Sequence, residues 1–343
     1  MLNERHSRLV TALGAALLAG LGASGCERAA DAAAEFYAGK AITLVCGYPP
    51  GGGVDAGARL IAQHLPRFLP GSPTVIVQSM PGAGGLVAAN YLYAKADRTG
   101  LVIGLPGRDW VLHPTLQLPG AMFDALKYSY IGSTGATNNF GWVRADLRIA
   151  TVEALRRSPG TVAFGALTPN TATASVPKLM AADGFPLQVV TGYRGTAHIL
   201  QALEQGEVAG IVTNLATFGR RPDLIDNAVV RLFQTLKEAP GLPVLDDVVG
   251  SELRPVLKMI NAPSLTGMPL IAPPEVPAER VASLRKAFLE MARDAAFVQD
   301  AQRIGEPTEA PIDGATLHGL YAEIISSATE ATALAYKQLT GQK

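Results

Sequence analysis

Apolar residues follow two rhythms along the chain. Continuous runs at 41–46 (Ala-Ile-Thr-Leu-Val-Cys), 74–78 and 101–105 have the length and composition of buried strands. Between the first two, Val54, Ala58, Ile61, Leu65 and Phe68 recur at steps of 4, 3, 4 and 3, one face of a helix that Pro66 and Pro70-Gly71 end. A second helix is predicted over 86–96. This β-α-β-α-β order with short connections predicts a parallel sheet wrapped by helices.

The plan recurs from residue 161. Strands are predicted at 161–166, 187–191, 209–213 and 229–235, with helices at 172–183 and 197–205. A strand-like run at 269–273 is followed by amphipathic helices at 278–293, 296–304 and 314–337. That tail has too few strands to stand alone and is expected to pack back onto the first unit. The predicted fold is therefore α/β and two-lobed, each lobe a mostly parallel sheet flanked by helices. Residues 41–142 and 268–343 form lobe 1 and residues 143–267 form lobe 2, hinged by two crossovers near 141–144 and 262–267. Such a body can open and close around a ligand in its cleft.

The N-terminal residues read as an address. Arg5 and Arg8 precede an apolar run at 9–21, then Ala23-Ser24-Gly25 leads to Cys26, so residues 1–25 are read as a secretory signal peptide and 26–40 as a tether. Ala-Ser-Gly-Cys resembles a lipobox, which marks Cys26 for lipidation and the protein for the periplasm, tethered to a membrane. Ordinary signal cleavage near Ala23 or around 32–34 is the alternative. Cys46, the other of two cysteines, then has no partner and is expected to be a buried, inert strand residue.

Charge excludes other classes. Removing the signal takes two Arg and one Glu from 29 basic and 29 acidic residues, leaving a net of −1. No basic stretch suggests nucleic acid, and no later run of 18 apolar residues suggests a membrane span. At 48% hydrophobic residues the remaining chain has ample content for two cores.

Catalytic patterns are absent: there is no Gly-x-Ser-x-Gly elbow, phosphate loop, His-Glu-x-x-His or paired-cysteine motif, and the histidines at 6, 64, 113, 198 and 318 are scattered. No enzyme activity, cofactor or metal is expected. Binding chemistry is better supplied. Turns at 49–55, 79–85, 106–110, 167–171 and 192–196, with Asn214, follow the carboxyl ends of strands, where ligands of α/β sheets bind. Gly51, Gly52, Gly53 and Gly82, Ala83, Gly84 sit where bare backbone N–H groups at a helix start suit an anion. Asp55 either caps its helix or accepts a hydrogen bond from a ligand. Arg108 and Arg194 could pair with a carboxylate. Thr168, Asn170, Thr171, Thr173 and Asn214 offer short donors and acceptors, some of which turn chemistry alone would select.

These residues resemble a family. The strand from Ile42 into Pro50-Gly51-Gly52-Gly53-Val54-Asp55 looks like the opening of the tripartite tricarboxylate transporter receptors, or Bug proteins. Pro81-Gly82-Ala83-Gly84-Gly85 is similar to the second signature. Gly192-Tyr193-Arg194-Gly195-Thr196 with Ala202–Val208 resembles the third, and the likeness spans about 36–340. The resemblance implies a two-lobed periplasmic receptor whose first lobe grips a ligand carboxylate through the two glycine turns. Its second lobe would read the far end, with specificity from Tyr193, Arg194 and the 168–173 turn. The receptor, expected to be a monomer, would deliver a small organic acid to a membrane permease of one large and one small subunit. Ser79-Met80 stands where Asn-Arg is usual and Arg194 where Lys is, so the acid need not be citrate. A sensor docking on a membrane signalling protein is an alternative, and an exported hydrolase a more distant one.

Overall fold

A computed structural model describes residues 35–218, 221–306, 308 and 310–341. The expected signal peptide, Cys26 and the tether as far as residue 34 lie outside the described residues. Residues 35–40, expected in the tether, pack instead on the first lobe: Tyr37 is fully buried beside Ile42, and Lys40 and Arg280 lie over the Phe36 ring.

The strands are β1 (Ala41–Cys46), β2 (Thr74–Ser79), β3 (Val102–Leu105), β4 (Ser129–Ser133), β5 (Phe140–Arg144), β6 (Val162–Gly165), β7 (Leu187–Val190), β8 (Gly210–Thr213), β9 (Val229–Gln234), β10 (Leu270–Ala272) and β11 (Ile312–Asp313). One sheet runs β11-β4-β10-β3-β1-β2 and the other β7-β6-β8-β5-β9. The expected repeat is present: β2-β1-β3 and β7-β6-β8 are parallel trios of identical order. Both sheets are nevertheless mixed. β10 runs antiparallel to β3 and β4, and β5 antiparallel to β8 and β9, so each lobe grows outward from a parallel core by antiparallel additions.

The longer helices are α1 (Gly53–His64), α2 (Leu86–Ala94), α3 (Ala172–Ala182), α4 (Thr196–Gln205), α5 (Arg254–Thr266), α6 (Ala278–Arg293), α7 (Ala295–Arg303), α8 (Gly314–Ser327) and α9 (Glu330–Thr340). Alternation along β1 shows why both sheet faces are covered. Leu44 and Cys46 pack into a core with Ala58 and Ile61 of α1 and Phe288 of α6. Val45 points the other way, toward Leu92 of α2 and Tyr321 of α8. The five-residue apolar face read from the sequence all reaches that first core.

The chain crosses between lobes at residues 134–139, just before the expected 141–144, because Phe140–Arg144 is itself a strand of the second sheet. It returns at residues 267–269, after α5. The two crossings touch. Thr137 N–H donates to Ser264 O at 2.8 Å, and Gly267, at φ +59°, lies so near the other crossing that a Cβ would sit 1.8 Å from Gly135 O.

The tail departs further from expectation. The single helix predicted over 314–337 is two, because Thr329 accepts from Thr332 N–H and starts α9 afresh. α9 then lies on the second lobe, not the first. Tyr336 is fully buried among Val162, Phe164 and Leu179, so the chain crosses a third time at residues 328–329.

Candidate functional site

The turns after β1, β3, β6, β7 and β8 converge between the lobes, as strand-end geometry requires. They enclose a cavity of about 50 Å³. The first lobe lines it with Tyr48, Pro49, Gly52, Gly53, Arg108 and Asp109; the second contributes Leu167, Thr171, Thr173, Thr196, Asn214 and Thr217. The lobes meet closely here. A Cβ on Gly52 would lie 2.8 Å from Thr196 Oγ1, and one on Gly53 3.2 Å from Asn214 Oδ1.

Of the expected site residues, the structure brings Gly52, Gly53, Arg108, Thr171, Thr173 and Asn214 into one lining. Gly51 lies just outside it, its N–H donated to Asp55 Oδ2 at 3.0 Å. Asp55 is fully buried, and the same oxygen takes Arg59 Nε at 3.0 Å. This carboxylate ties the glycine turn to the first turn of α1; the N-cap residue of α1 is Gly52, not Asp55, and it has no side-chain cap. Asp55 Oδ1 is buried without a hydrogen-bond partner. Gly84 faces Thr168 and Thr171 of the other lobe, whereas a Cβ on Gly82 would meet Val87 of its own lobe at 2.5 Å and Ala83, at φ +46°, carries the turn between them.

Of the remaining residues, Thr168 faces Gly84 across the cleft and the others point elsewhere. Asn170 turns inward, its side chain hydrogen-bonded to His113 Nε2 and its carbonyl accepting from the Tyr336 hydroxyl at 3.3 Å. Thr168 anchors the turn, its carbonyl accepting from Thr171 N–H and Oγ1. Tyr193 packs partly against the core around Ile199. Arg194 is exposed and outside the lining.

The cavity's second-lobe wall is neutral and internally paired. Thr171 and Thr173 hydroxyls lie 2.7 Å apart, as do those of Thr213 and Thr217, and Asn214 Oδ1 accepts from Thr217 N–H and Oγ1. Charge comes from one turn only. Arg108 is half-buried, with Nη1 at 3.4 Å from Thr137 O and no carboxylate within ion-pair distance among the described residues. Asp109 beside it is 7% exposed. Burial pushes its carboxyl up, while the Arg108 charge and the N–H of Ala172 pull it back. Ala172 is the first residue of α3, and Thr171 before it provides no side-chain cap. The first lobe's carboxylate thus shares the cavity wall with the start of a second-lobe helix.

Sequence reasoning did not single out Asp109, Tyr48, Thr196 or Thr217. The first and third lie inside turns already marked by position, and a charged pair such as Arg108-Asp109 between apolar neighbours was a usable signal. Glu306 was also missed. It is 4% exposed and borders a second cavity of about 170 Å³ with Thr137, Asn138 and Asn214. Burial pushes its carboxyl up to about 7, against the opposing Thr134 hydroxyl, which donates at 3.0 Å, and the Arg108 charge.

Cys46 is buried, and burial pushes its thiol up to about 11. Among the described residues no helix is long and apolar enough to cross a membrane.

Comparison with known proteins places this arrangement. The family model of the tripartite tricarboxylate transporter family receptors matches residues 58–307. A UPF0065 protein of the gbd 5' region of Cupriavidus necator is 28% identical over 236 residues, 64% of this chain and 67% of that protein. A second, from the tcbD-tcbE intergenic region of Pseudomonas sp. strain P51, is 24% identical over 61% of this chain and 62% of its own length. The chain thus spans about two thirds of the length of these relatives. The periplasmic binding protein BugD shares the fold with a TM-score of 0.69 at 18% identity, over 88% of this chain and 98% of that one. MatC of Rhodopseudomonas palustris, described with bound malate, superposes at 0.67 and 18% identity over 88% and 99%. Rpa4515 of R. palustris, described with adipate, does so at 0.68 and 20% over 88% and 98%.

Proposed function

The chain belongs to the tripartite tricarboxylate transporter family of receptors, and on that footing we propose that it holds a small organic acid in the inter-lobe cleft and delivers it to a membrane permease of one large and one small subunit. The family and fold are those of solute-binding receptors. The receptor acts as a periplasmic monomer tethered through a lipidated Cys26, and performs no chemistry on its cargo.

One observation carries the ligand assignment. Arg108, a cation with no carboxylate partner among the described residues, lines a cavity walled by the N–H-rich turn at Gly52 and Gly53. A ligand carboxylate would pair with that guanidinium and accept from the turn at the start of α1. The malate and adipate described with MatC and Rpa4515 are carboxylates, which supports the same reading. Arg108, Gly52, Gly53, Thr171, Thr173 and Asn214 are assigned to the ligand directly. Gly51, Asp55, Gly82, Ala83, Gly84, Thr168, Asn170, Tyr193 and Arg194 are assigned to shaping or flanking the cleft.

The test is a thermal-melt screen of the purified protein, refolded to strip carried-over ligand, against a panel of organic acids. An acid at 100 times its dissociation constant adds about 2.7 kcal/mol of stability, enough for a shift of several degrees. A shift with a carboxylate class is expected. Cooperative melting with no shift from any acid would overturn the assignment.

A further inference from the structure

The charges that line the cleft point beyond a general preference for acids. Arg108 and Asp109 are the only charged residues in the cavity wall among the described residues. Their formal charges cancel before any ligand arrives. One incoming carboxylate can pair with Arg108, which lacks a carboxylate partner. A second carboxylate on the same ligand would have no cation left, because Arg194 is exposed and outside the wall.

A second carboxylate would also have nowhere to dock on the other lobe. The N-terminus of α3 is the natural anion position there, and α3 is an 11-residue helix whose own Thr171 gives no side-chain cap. Asp109 lines the same cavity wall as Ala172, so a buried carboxylate already faces that position. The rest of the far wall consists of the paired threonine hydroxyls, the Asn214 amide and apolar Leu167 and Val212. Such a wall accepts a neutral group and offers nothing to a second negative charge, which would stand beside a buried carboxylate in a site shielded from water.

We propose that Asp109 is a specificity-determining residue that makes this receptor select acids with a single carboxylate and an uncharged far end, and reject the matching dicarboxylates. The inference rests on the carboxylate-receptor reading above and narrows it. Arg108 takes the one carboxylate; Asp109 repels a second anion.

The test uses half-amides against their parent diacids, from malonamate and malonate to adipamate and adipate, titrated into the purified protein. Each pair differs only in replacing one carboxylate by a neutral amide of nearly the same shape, so chain length cancels within a pair. The half-amide is expected to bind at least about tenfold more tightly at the best-fitting length, and Asp109→Asn to shrink that ratio to within about threefold. Equal or tighter binding of the diacid by the wild-type protein overturns the proposal, whatever the variant does. Failure of both members of every pair to bind overturns the carboxylate reading itself, and the proposal with it.

Discussion

Gly52 and Thr196 face each other across the cleft so closely that a Cβ on the glycine would meet the threonine hydroxyl at 2.8 Å. Gly52 has an ordinary extended backbone, with φ −92° and ψ 175°, so no strain of its own demands glycine. The demand comes from the other lobe. Gly52→Ala should therefore leave the unliganded fold intact, costing less than about 1 kcal/mol, while weakening ligand affinity about tenfold or more. Thr196→Ala in the same chain should recover much of the loss. Unchanged affinity in Gly52→Ala, measured by calorimetric titration, would remove the lobe contact from the account.

Arg108→Gln keeps a donor in the turn and deletes the charge. A charge-assisted hydrogen bond contributes about 1.5–3 kcal/mol, so carboxylate affinity should fall about ten- to a hundredfold. The melting temperature without ligand should also fall, because the Arg108 charge offsets the burial of the Asp109 and Glu306 carboxyls, so the affinity loss is read by titration on the folded variant. Wild-type affinity in this variant would contradict the ligand assignment.

Glu306 gives the protein a pH signature. Its carboxyl is pushed up to about 7 in the fold, above the ordinary value of about 4.3 for an exposed glutamate. Between those values the folded protein holds a proton that the unfolded chain has released, so stability falls as pH rises. The stabilising contribution is complete below about pH 4.3 and is lost as pH climbs through about 7, on the order of 3 kcal/mol in all. Urea denaturation of the wild type at a series of pH values should show this decline, and Glu306→Gln should flatten it. Parallel pH profiles for the two proteins would contradict the burial argument.

How much of this was legible in the sequence depended on how continuous the apolar signal was. β1, β3, β6 and β8 stood out because strands buried on both faces read as unbroken apolar runs, and the more exposed edge strands β2 and β7 because they too are mostly β-branched or apolar. β4 and β5 did not, and their glycines show why. A Cβ on Gly132 would lie 2.5 Å from the Phe288 ring, and one on Gly141 2.0 Å from the Phe233 ring. Aromatic rings packed onto the sheet impose glycine at both points, which dilutes the strand pattern. The break between α8 and α9 was hidden for the opposite reason, since apolar periodicity runs through it and only the Thr329 cap marks it. In the cleft, turns were placed correctly by position, but which side chains face inward was not. Asp109 shares the cavity wall with Ala172, 63 positions away, and no local pattern encodes that.

Tyr336 tests the unexpected third crossing. It is fully buried in the second lobe's core, and its hydroxyl donates to Asn170 O, behind the 168–173 turn. Tyr336→Ala should cost about 3–5 kcal/mol, the usual range for deleting a buried aromatic ring. Tyr336→Phe should cost only about 1 kcal/mol, the worth of one hydrogen bond. A small effect of Tyr336→Ala on urea unfolding would mean that α9 is not part of the second lobe's core.

The most direct measurement is hydrogen exchange of the backbone amides with and without the acid that gives the largest melting shift. A carboxylate held between closed lobes should slow exchange simultaneously at residues 48–55 of the first lobe and at 167–173 and 195–197 of the second. Protection confined to one lobe, or appearing away from both sets of turns, would contradict the claim that the acid is gripped in this cleft.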